Sequence, residues 1–204
     1  MLKISNKIRV SKISQISSSH CGPAVVQMLF SHLGLDISQE EITKEAGIGE
    51  TIKATGARID QLAQAVSKLA PHTQMWYKNN ASLLDITKIL RKHNYPVAVE
   101  WQGLFEIEEE EGDDDAGHYS VIIDIDDKQQ KIIMADPYKH YFDKDRIIAT
   151  KQFIKRWWDT NEARDKSTGK KILIKDNKLL FVVIPKENDF PNELGMRKDF
   201  ENYF

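Results

Sequence analysis

Cysteine is almost missing from this sequence, in which Cys21 is the only one among 204 residues. One cysteine cannot form an internal disulfide, and it cannot build a zinc site from several thiolates. We therefore expect neither a metal nor another cofactor. A chain without disulfides favours a reducing compartment, so we also expect a cytoplasmic protein.

Long apolar runs are missing as well. No segment approaches the roughly eighteen consecutive apolar residues that a membrane-spanning helix needs. Residues 1–14 mix charges into every short apolar run, so they lack the core of a signal peptide. The net charge is only −2, and no segment is dense in Lys and Arg, so nucleic acid is not an expected partner. We expect a peptide or protein substrate instead, and the sequence does not indicate an oligomeric state.

The composition is that of an ordinary globular protein, with 41% hydrophobic and 29% charged residues. Apolar residues recur at helical spacing in the first half, and β-rich runs follow in the second half. This order predicts an α+β fold in which a helical N-terminal part packs on an antiparallel sheet. The runs 171–174 and 179–185 predict a closing hairpin. We expect one domain over residues 1–185 and a C-terminal tail over 186–204.

The stretch around Cys21 carries the strongest chemical signal. Gly22 and Pro23 follow the cysteine, and an apolar run at helical spacing continues to Gly34. Gly22 allows a tight turn, and proline suits the first turn of a helix because its missing N–H costs nothing there. Cys21 should therefore lie at the start of a buried helix, where free N–H groups and the helix dipole favour a thiolate. A lone cysteine is usually an inert buried residue, but this context favours a nucleophile.

A cysteine nucleophile needs a base and a group that orients the base. His118 is the best placed of the six histidines, because a polar turn joins its β-rich run to the run that ends near Asp136. If this turn centres on residues 127–128, antiparallel pairing sets His118 opposite Asp136 or Pro137 on one face of the sheet. Asp136 would then fix the imidazole tautomer and leave the other ring nitrogen free for Cys21.

Three further residues are weighed for the site. His20 precedes Cys21 directly, but adjacent side chains diverge, so we expect it at the rim. His140 lies in a loop beyond the predicted strand pairing and is a weaker candidate than His118. Gln15 stands six residues before Cys21. Its amide N–H, beside the backbone N–H of Cys21, would stabilise the oxyanion of a tetrahedral intermediate.

Together these segments resemble the C39-like cysteine peptidase family. The resemblance rests on HCGPA at the start of a helix, a glutamine six residues before the cysteine, GHYSVIIDID and IIMADPY. It implies a papain-like cysteine peptidase fold that carries the cysteine on its helical part and the histidine and aspartate on its sheet. By this resemblance Gln15 is the oxyanion donor, Cys21 the nucleophile, His118 the base and Asp136 the orienting acid.

The resemblance implies a cysteine peptidase, or a related amide hydrolase, that acts through a thioester acyl-enzyme. Well-known members of the family are fused to peptide exporters and cleave leader peptides after a double glycine. This sequence contains no transporter segment, so we do not expect that specificity here. Two alternatives stay open. In the first, the enzyme transfers the acyl group to an amine instead of to water. In the second, the chain is a catalytically silent peptide-binding module of the same fold.

An acidic run at residues 106–115 precedes His118 and is not part of the family pattern. Eight of its ten residues are Asp or Glu. Blocks of like charge usually form solvated loops, and we take that as the first interpretation. The second is a gate beside the active site that attracts basic substrates.

Overall fold

The computed structural model describes residues 7–103, 117–165 and 167–200. A six-stranded antiparallel sheet forms its centre, built from β1 (Thr73–Lys78), β2 (Val97–Gln102), β3 (Gly117–Asp126), β4 (Lys131–Ala135), β5 (Arg146–Ala149) and β8 (Leu180–Pro185). The strand order is β1-β8-β2-β3-β4-β5, and every pairing is antiparallel. The strands β6 (Trp158–Arg164) and β7 (Lys171–Asn177) form a separate two-stranded ribbon.

Helices cover both faces of this sheet. One apolar cluster joins the sheet to α1 (Cys21–His32), α2 (Gln39–Glu45), α3 (Ile52–Thr55) and α4 (Ile59–Leu69). A second cluster joins the opposite face to α5 (Leu83–Lys88), the π-helical turn Ile89–His93, α6 (Thr150–Arg156) and α7 (Phe190–Glu193). The central strand β2 is buried at every position, as a strand covered on both faces must be. The predicted α+β class, with a helical N-terminal part packed on an antiparallel sheet, is confirmed.

The helix lengths bear on the membrane question. Of the helices in the described residues, α1 is the longest, with 12 residues. Within the described ranges, none of the helices combines the length and the apolar character that crossing a bilayer requires.

The register of β3 and β4 differs from the expected one. The turn contains four residues, because Asp126 pairs with Lys131, and a bulge between Ile122 and Asp124 shifts the pairing again. The last ladder pair is Val121 with Ala135. One further step sets Ser120, not His118, opposite Asp136. The expectation that His118 lies directly opposite Asp136 or Pro137 was therefore wrong, although His118 and Ser120 lie two residues apart on one face of β3.

The predicted hairpin of residues 171–174 and 179–185 was also wrong. β7 pairs with β6, whereas β8 lies between β1 and β2 in the main sheet. Lys178, at φ +52°, separates the two strands and redirects the chain. The sequence of β6, WDTNEAR, is too polar to be recognised as a strand, so the partner of β7 had no visible signal. The apolar β8 is buried on both faces, which a central position provides.

The residues after β8 pack against the same core. Phe190, Leu194 and Met196 are buried in the cluster that contains α5 and α6, and Tyr77 pairs with Arg197 in an antiparallel bridge. The boundary at residue 185 between domain and tail stays a prediction.

Truncation tests this boundary. A chain that ends at residue 185 loses three buried apolar side chains, each contributing about 1.5–3 kcal/mol. We therefore expect its free energy of unfolding to fall by about 4.5 kcal/mol or more, measured by urea denaturation against a control chain that ends at residue 200. Equal free energies for the two chains would show that residues 186–200 are a dispensable tail.

Candidate active site

The ends of β3 and β4 bring His118 and Asp136 together. Nε2 of His118 lies 2.9 Å from Oδ1 of Asp136. Both side chains are buried, with relative exposures of 1% and 0%. The structure thus places the histidine and the aspartate that the sequence singled out in direct contact, although in a register different from the expected one.

Asp136 is held by three further donors. The hydroxyl of Ser120 donates to Oδ2 over 2.8 Å, and Nη1 of Arg146 donates to the same oxygen over 2.9 Å. The backbone N–H of Tyr138 donates to Oδ1 over 2.8 Å. The carboxylate therefore has a fixed orientation, in which its Oδ1 accepts the hydrogen bond of the imidazole.

Sequence reasoning missed Ser120 and Arg146. Arg146 begins β5 at an inward position, and its guanidinium lies over the rings of Trp101 and Tyr141, at 4.7 and 4.9 Å from their centroids. Trp101 also donates its indole N–H to Ser120 over 3.0 Å. The only signal in the sequence was Arg146 itself, a charged residue within the alternating pattern of a short strand. The same pattern is expected of a strand that is exposed at the edge of a sheet.

These contacts set the charge state of the pair. Burial alone lowers the pKa of His118, but the charge and hydrogen bond of Asp136, together with the hydrogen bond to Cys21 and its charge, raise this pKa to about 9. Burial raises the pKa of Asp136, and the charges of His118 and Arg146 outweigh this and hold it below its ordinary value. Near neutral pH the pair is therefore an imidazolium beside a carboxylate.

Cys21 lies at the first position of α1 and is partly exposed. Its side chain hydrogen-bonds to His118. The first turn of α1 contains no acidic residue, and the side chain of its N-cap residue, His20, accepts no hydrogen bond from this turn. Gly22 has a packing role, because a Cβ there would lie 3.1 Å from Leu62 and 3.2 Å from Ala57. The missing side chain lets the start of α1 approach α4 and β3 closely, which sets Cys21 beside His118.

Gln15 is tied to the same region by its backbone. Its N–H donates to the carbonyl of Pro137 over 2.9 Å, directly after Asp136 in the chain. Its side-chain Nε2 donates to the carbonyl of Ser17 over 2.7 Å. Within the described part of the chain, Oε1 of Gln15 is buried without a partner. The structure therefore holds Gln15 near the His118–Asp136 pair, with its amide directed at a carbonyl in the loop before Cys21.

Gln39 fixes the segment around Gln15 from the other side. Its Oε1 accepts the N–H of Ile16 over 3.1 Å, and its Nε2 donates to the carbonyl of Ser14 over 2.9 Å. The same Nε2 donates to Oε1 of Gln27 over 3.0 Å. Sequence reasoning missed this clamp, because a glutamine in the first turn of a helix is usually exposed.

The other two histidines that were weighed for the site, His20 and His140, contact other groups. Nδ1 of His20 lies 2.6 Å from the hydroxyl of Ser17, and burial lowers its pKa. His140 lies in the short 3-10 helix Lys139–Tyr141, where it is exposed and 3.1 Å from the ammonium of Lys144. The acidic run 106–115 lies outside the described residues.

A cleft of about 470 Å³ opens beside Cys21. Its walls come from the loop before α1, from α3 and the residues after it, and from β2, β3 and β6. The polar and glycine residues of these walls include Ser18, Ser19, Lys53, Gly56, Glu100, Gly117, Tyr119, Asp159, Asn161 and Glu162. No group of three or more His, Cys, Asp or Glu side chains is arranged to hold a metal ion within the described ranges. The arrangement suits a nucleophile at the edge of a substrate groove.

The raised pKa of His118 predicts a pH-dependent stability. A histidine whose pKa is about 9 when folded and about 6.5 when unfolded contributes fully below the lower value. It loses that contribution as the pH rises through the higher value. We expect the free energy of unfolding of Cys21→Ala, which keeps the effect of Asp136 on this pKa but lacks that of Cys21, to fall by on the order of 1–2 kcal/mol between pH 6 and about 10.

The matched control is Cys21→Ala combined with Asp136→Asn, which removes the charge that raises the pKa of His118. Its free energy of unfolding should change much less over the same range. Parallel curves for the two variants in urea denaturation would contradict the raised pKa.

Comparison with known structures supports the fold. The structure matches the peptidase domain of Streptococcus ComA, a bifunctional ABC transporter of a quorum-sensing pathway, at a TM-score of 0.56 and 18% identity over 89% of this chain and 100% of that domain. It also matches a double glycine motif protease from an AMS/PCAT transporter, solved with a leader peptide, at 0.55 and 14% over 88% of this chain and 94% of the other. These likenesses show the papain-like fold.

The sequence itself identifies the family. No curated protein matches the chain significantly. The model of the Peptidase_C39 like family matches residues 7–164, which include Gln15, Cys21, His118 and Asp136. Since this match covers most of the chain, the protein belongs to the Peptidase_C39 like family.

Proposed function

We propose that this protein is a cysteine peptidase in which Cys21 is the nucleophile, His118 the base and Asp136 the group that orients the base. One observation carries the proposal. A buried imidazole hydrogen-bonds to a partly exposed thiol at a helix N-terminus and to a fully buried carboxylate. Family membership favours peptide hydrolysis over other uses of such a triad.

The charges around the thiol support a thiolate nucleophile. Asp136 carries one negative charge, and it contacts two cations, Arg146 and the protonated His118. A negatively charged sulfur at Cys21 balances the remaining positive charge, and the uncapped N–H groups of α1 add to its stabilisation. The site is therefore arranged to hold the thiolate before substrate arrives.

The reaction follows from this arrangement. The Cys21 thiolate attacks the substrate carbonyl, and the imidazolium of His118 gives its proton to the leaving amine as the C–N bond breaks, which leaves a thioester. Neutral His118 then takes a proton from water, whose oxygen attacks the thioester. The C–S bond breaks, which releases the acid and restores the Cys21 thiolate beside the imidazolium. Asp136, held by Ser120 and Arg146, keeps the ring oriented through both steps.

Gln15 is the proposed second donor to the oxyanion, with the backbone N–H of Cys21 as the first. An amide nitrogen carries two hydrogens, and the hydrogen bond to Ser17 uses one of them. The other remains for the substrate oxygen. The clamp by Gln39 on both neighbours of Gln15 gives the preorganisation that oxyanion stabilisation needs.

The substrate class follows from the family and the cleft. A groove of about 470 Å³ beside Cys21 has the volume of a typical small-ligand site, so it accepts a few residues of a peptide or protein. A thiol nucleophile also requires reducing conditions, and the cytoplasmic location expected from the sequence stays a prediction.

Replacement of the nucleophile tests the proposal most simply. Cys21→Ala should abolish cleavage of a mixed peptide library, measured by mass spectrometry, because the alanine cannot form a thioester. The melting temperature should change little, since the variant removes one partly exposed sulfur. His140→Ala is the control and should keep wild-type cleavage. Cleavage by Cys21→Ala at the wild-type rate would end the proposal.

The same library separates the two alternatives. An enzyme that transfers acyl groups should form amide products when a primary amine is added, at the expense of the free acid. A silent binding module should produce neither product, and its Cys21 should react with a thiol-directed electrophile as slowly as free cysteine does.

The orienting role of Asp136 makes a further prediction. Asp136→Asn keeps the shape but loses the charge and permits the wrong imidazole tautomer, so kcat/KM should fall roughly 10²-fold or more. His118→Ala should reduce it at least as much. The double variant should be little worse than His118→Ala alone, because the two residues act as one unit. Additive losses in the double variant would contradict this role.

A further inference from the structure

One edge of β6 has no strand partner among the described strands. β6 and β7 form a two-stranded ribbon, so β7 covers only one edge of β6. Residues 159–162 of β6 line the cleft that contains Cys21. The open edge of a strand presents a row of N–H and C=O groups to which another extended chain can bind.

Two hydrogen bonds at the ends of the ribbon define which groups of β6 face β7. At one end, the N–H of Lys178 donates to the carbonyl of Trp157 over 2.9 Å. At the other end, the N–H of Asp165 donates to the carbonyl of Lys170 over 2.9 Å. Both pairs extend the register of the ribbon. Hydrogen-bonded pairs alternate with non-hydrogen-bonded pairs in an antiparallel ladder, so the even-numbered residues of β6 direct their N–H and C=O groups away from β7.

The outward-facing groups of β6 belong to the cleft. Thr160 and Glu162 both line it. The carbonyl of Glu162 accepts a hydrogen bond from Nη1 of Arg58 over 3.5 Å, which shows that this edge faces the segment between α3 and α4. Among the described residues, the backbone of Thr160 has no partner on this side. Thr160 is partly exposed, so water can satisfy its N–H and C=O until a ligand takes its place.

The wall that includes residues 53–57 contributes small residues to the cleft. Ala54, Gly56 and Ala57 line it. Gly56 has φ +63° and ψ −150°, a backbone conformation that favours glycine. A Cβ at this position would meet no atom within 4 Å. This wall therefore leaves room for the main chain of a ligand.

The edge of β6 lies next to the proposed catalytic groups. A Cβ at residue 117 would lie 2.4 Å from Oδ2 of Asp159, so β6 packs directly against Gly117. Asp159 precedes Thr160 in β6, and Gly117 precedes His118 in β3. A chain bound along β6 would therefore pass close to the thiol and the imidazole.

We propose that the substrate binds as an extended strand along the open edge of β6, with main-chain hydrogen bonds to Thr160. The N–H of Thr160 donates to the carbonyl of one substrate residue, and the carbonyl of Thr160 accepts the N–H of the same residue, as in an antiparallel pair. Recognition then uses the peptide backbone, as in other cases of strand addition. This inference deepens the proposed peptidase function, on which it rests for the choice of a peptide.

A single extended peptide suits this edge better than a second copy of the ribbon does. The edge lies inside a cleft, and the side chain of Arg58 reaches the carbonyl of Glu162 from the segment before α4. Glu162 and Arg164 are exposed charged residues on this strand, and charged side chains discourage pairing between the edges of folded proteins. A peptide segment without a fold of its own meets neither obstacle.

N-methylated peptides test the pairing from the substrate side. A peptide that the protein cleaves is methylated at one backbone nitrogen at a time, away from the scissile bond. At the residue that pairs with Thr160, methylation should lower kcat/KM roughly tenfold or more, because it removes a hydrogen bond and adds bulk at the ladder. At the two flanking residues, kcat/KM should change by about threefold or less, because their N–H groups point away from β6.

Proline substitutions test the pairing from the protein side. Thr160→Pro removes the outward N–H and leaves the ladder with β7 intact, since edge strands tolerate proline. It should lower kcat/KM roughly tenfold and lie well below Thr160→Ala, which keeps the N–H. Arg164→Pro is the matched control, because it removes an outward N–H of the same edge beyond the cleft. It should stay within about twofold of wild type. Melting curves check that each variant folds, and the methylated peptides decide alone if Thr160→Pro does not.

Three results would overturn the pairing. In the first, methylation at no position away from the scissile bond lowers kcat/KM. In the second, a folded Thr160→Pro cleaves as well as Arg164→Pro does. In the third, sedimentation shows a dimer that Thr160→Pro dissociates, which would assign the edge to a second copy.

Peptide binding to Cys21→Ala separates this inference from the peptidase proposal. Binding is measured by fluorescence anisotropy with the same methylated series. Cleavage without any sensitive position would overturn the pairing and leave the peptidase intact. Absence of cleavage by wild type, with binding that one N-methyl group and Thr160→Pro both weaken, would overturn the peptidase and leave the pairing. Absence of both cleavage and binding would overturn both.

Discussion

The Asp136 carboxylate is the interaction on which the rest of the site depends. It is fully buried, and it accepts hydrogen bonds from His118, Ser120, Arg146 and the backbone of Tyr138. Removing a carboxylate from water costs several kcal/mol, and only good hydrogen bonds and opposite charges recover this. Four donors meet that cost, so Asp136 keeps His118 cationic. A cationic His118 favours the thiolate form of Cys21, the proposed nucleophile.

The fold places these groups by packing and not by local sequence alone. Trp101 on β2 supports both Ser120 and Arg146, so the central strand fixes the donors of Asp136. On the other side of the site, Gly22 lets α1 approach closely enough for Cys21 to meet His118. The clamp of Gln39 on the Gln15 segment completes a site whose parts come from the helical and the sheet halves of the chain.

The sequence predicted the helical N-terminal part and singled out His118 and Asp136, which are in contact. It failed at the strand register and the strand partners, which depend on pairing between distant residues. The apolar run that continues from Cys21 to Gly34 is a local signal, and α1 forms where this run indicates. Strand partners depend on distant residues. The bulge in β3 and the polar strand β6 therefore could not be found, and the register and the last hairpin were wrong.

The buried charges escaped prediction for a related reason. Arg146, Glu100 and Asp159 read as solvent-facing residues, because charged side chains are rarely buried. Only the assembled structure shows that they face inward. The acidic run 106–115, interpreted first as a solvated loop and second as a gate for basic substrates, lies outside the described residues.

The protonation state of His118 tests the account most directly. Nitrogen NMR of the imidazole in the wild-type protein reports whether both ring nitrogens carry a proton. The account predicts an imidazolium throughout the neutral range, which titrates only near pH 9. A neutral ring at pH 7, with titration at the ordinary value of about 6.5, would contradict it.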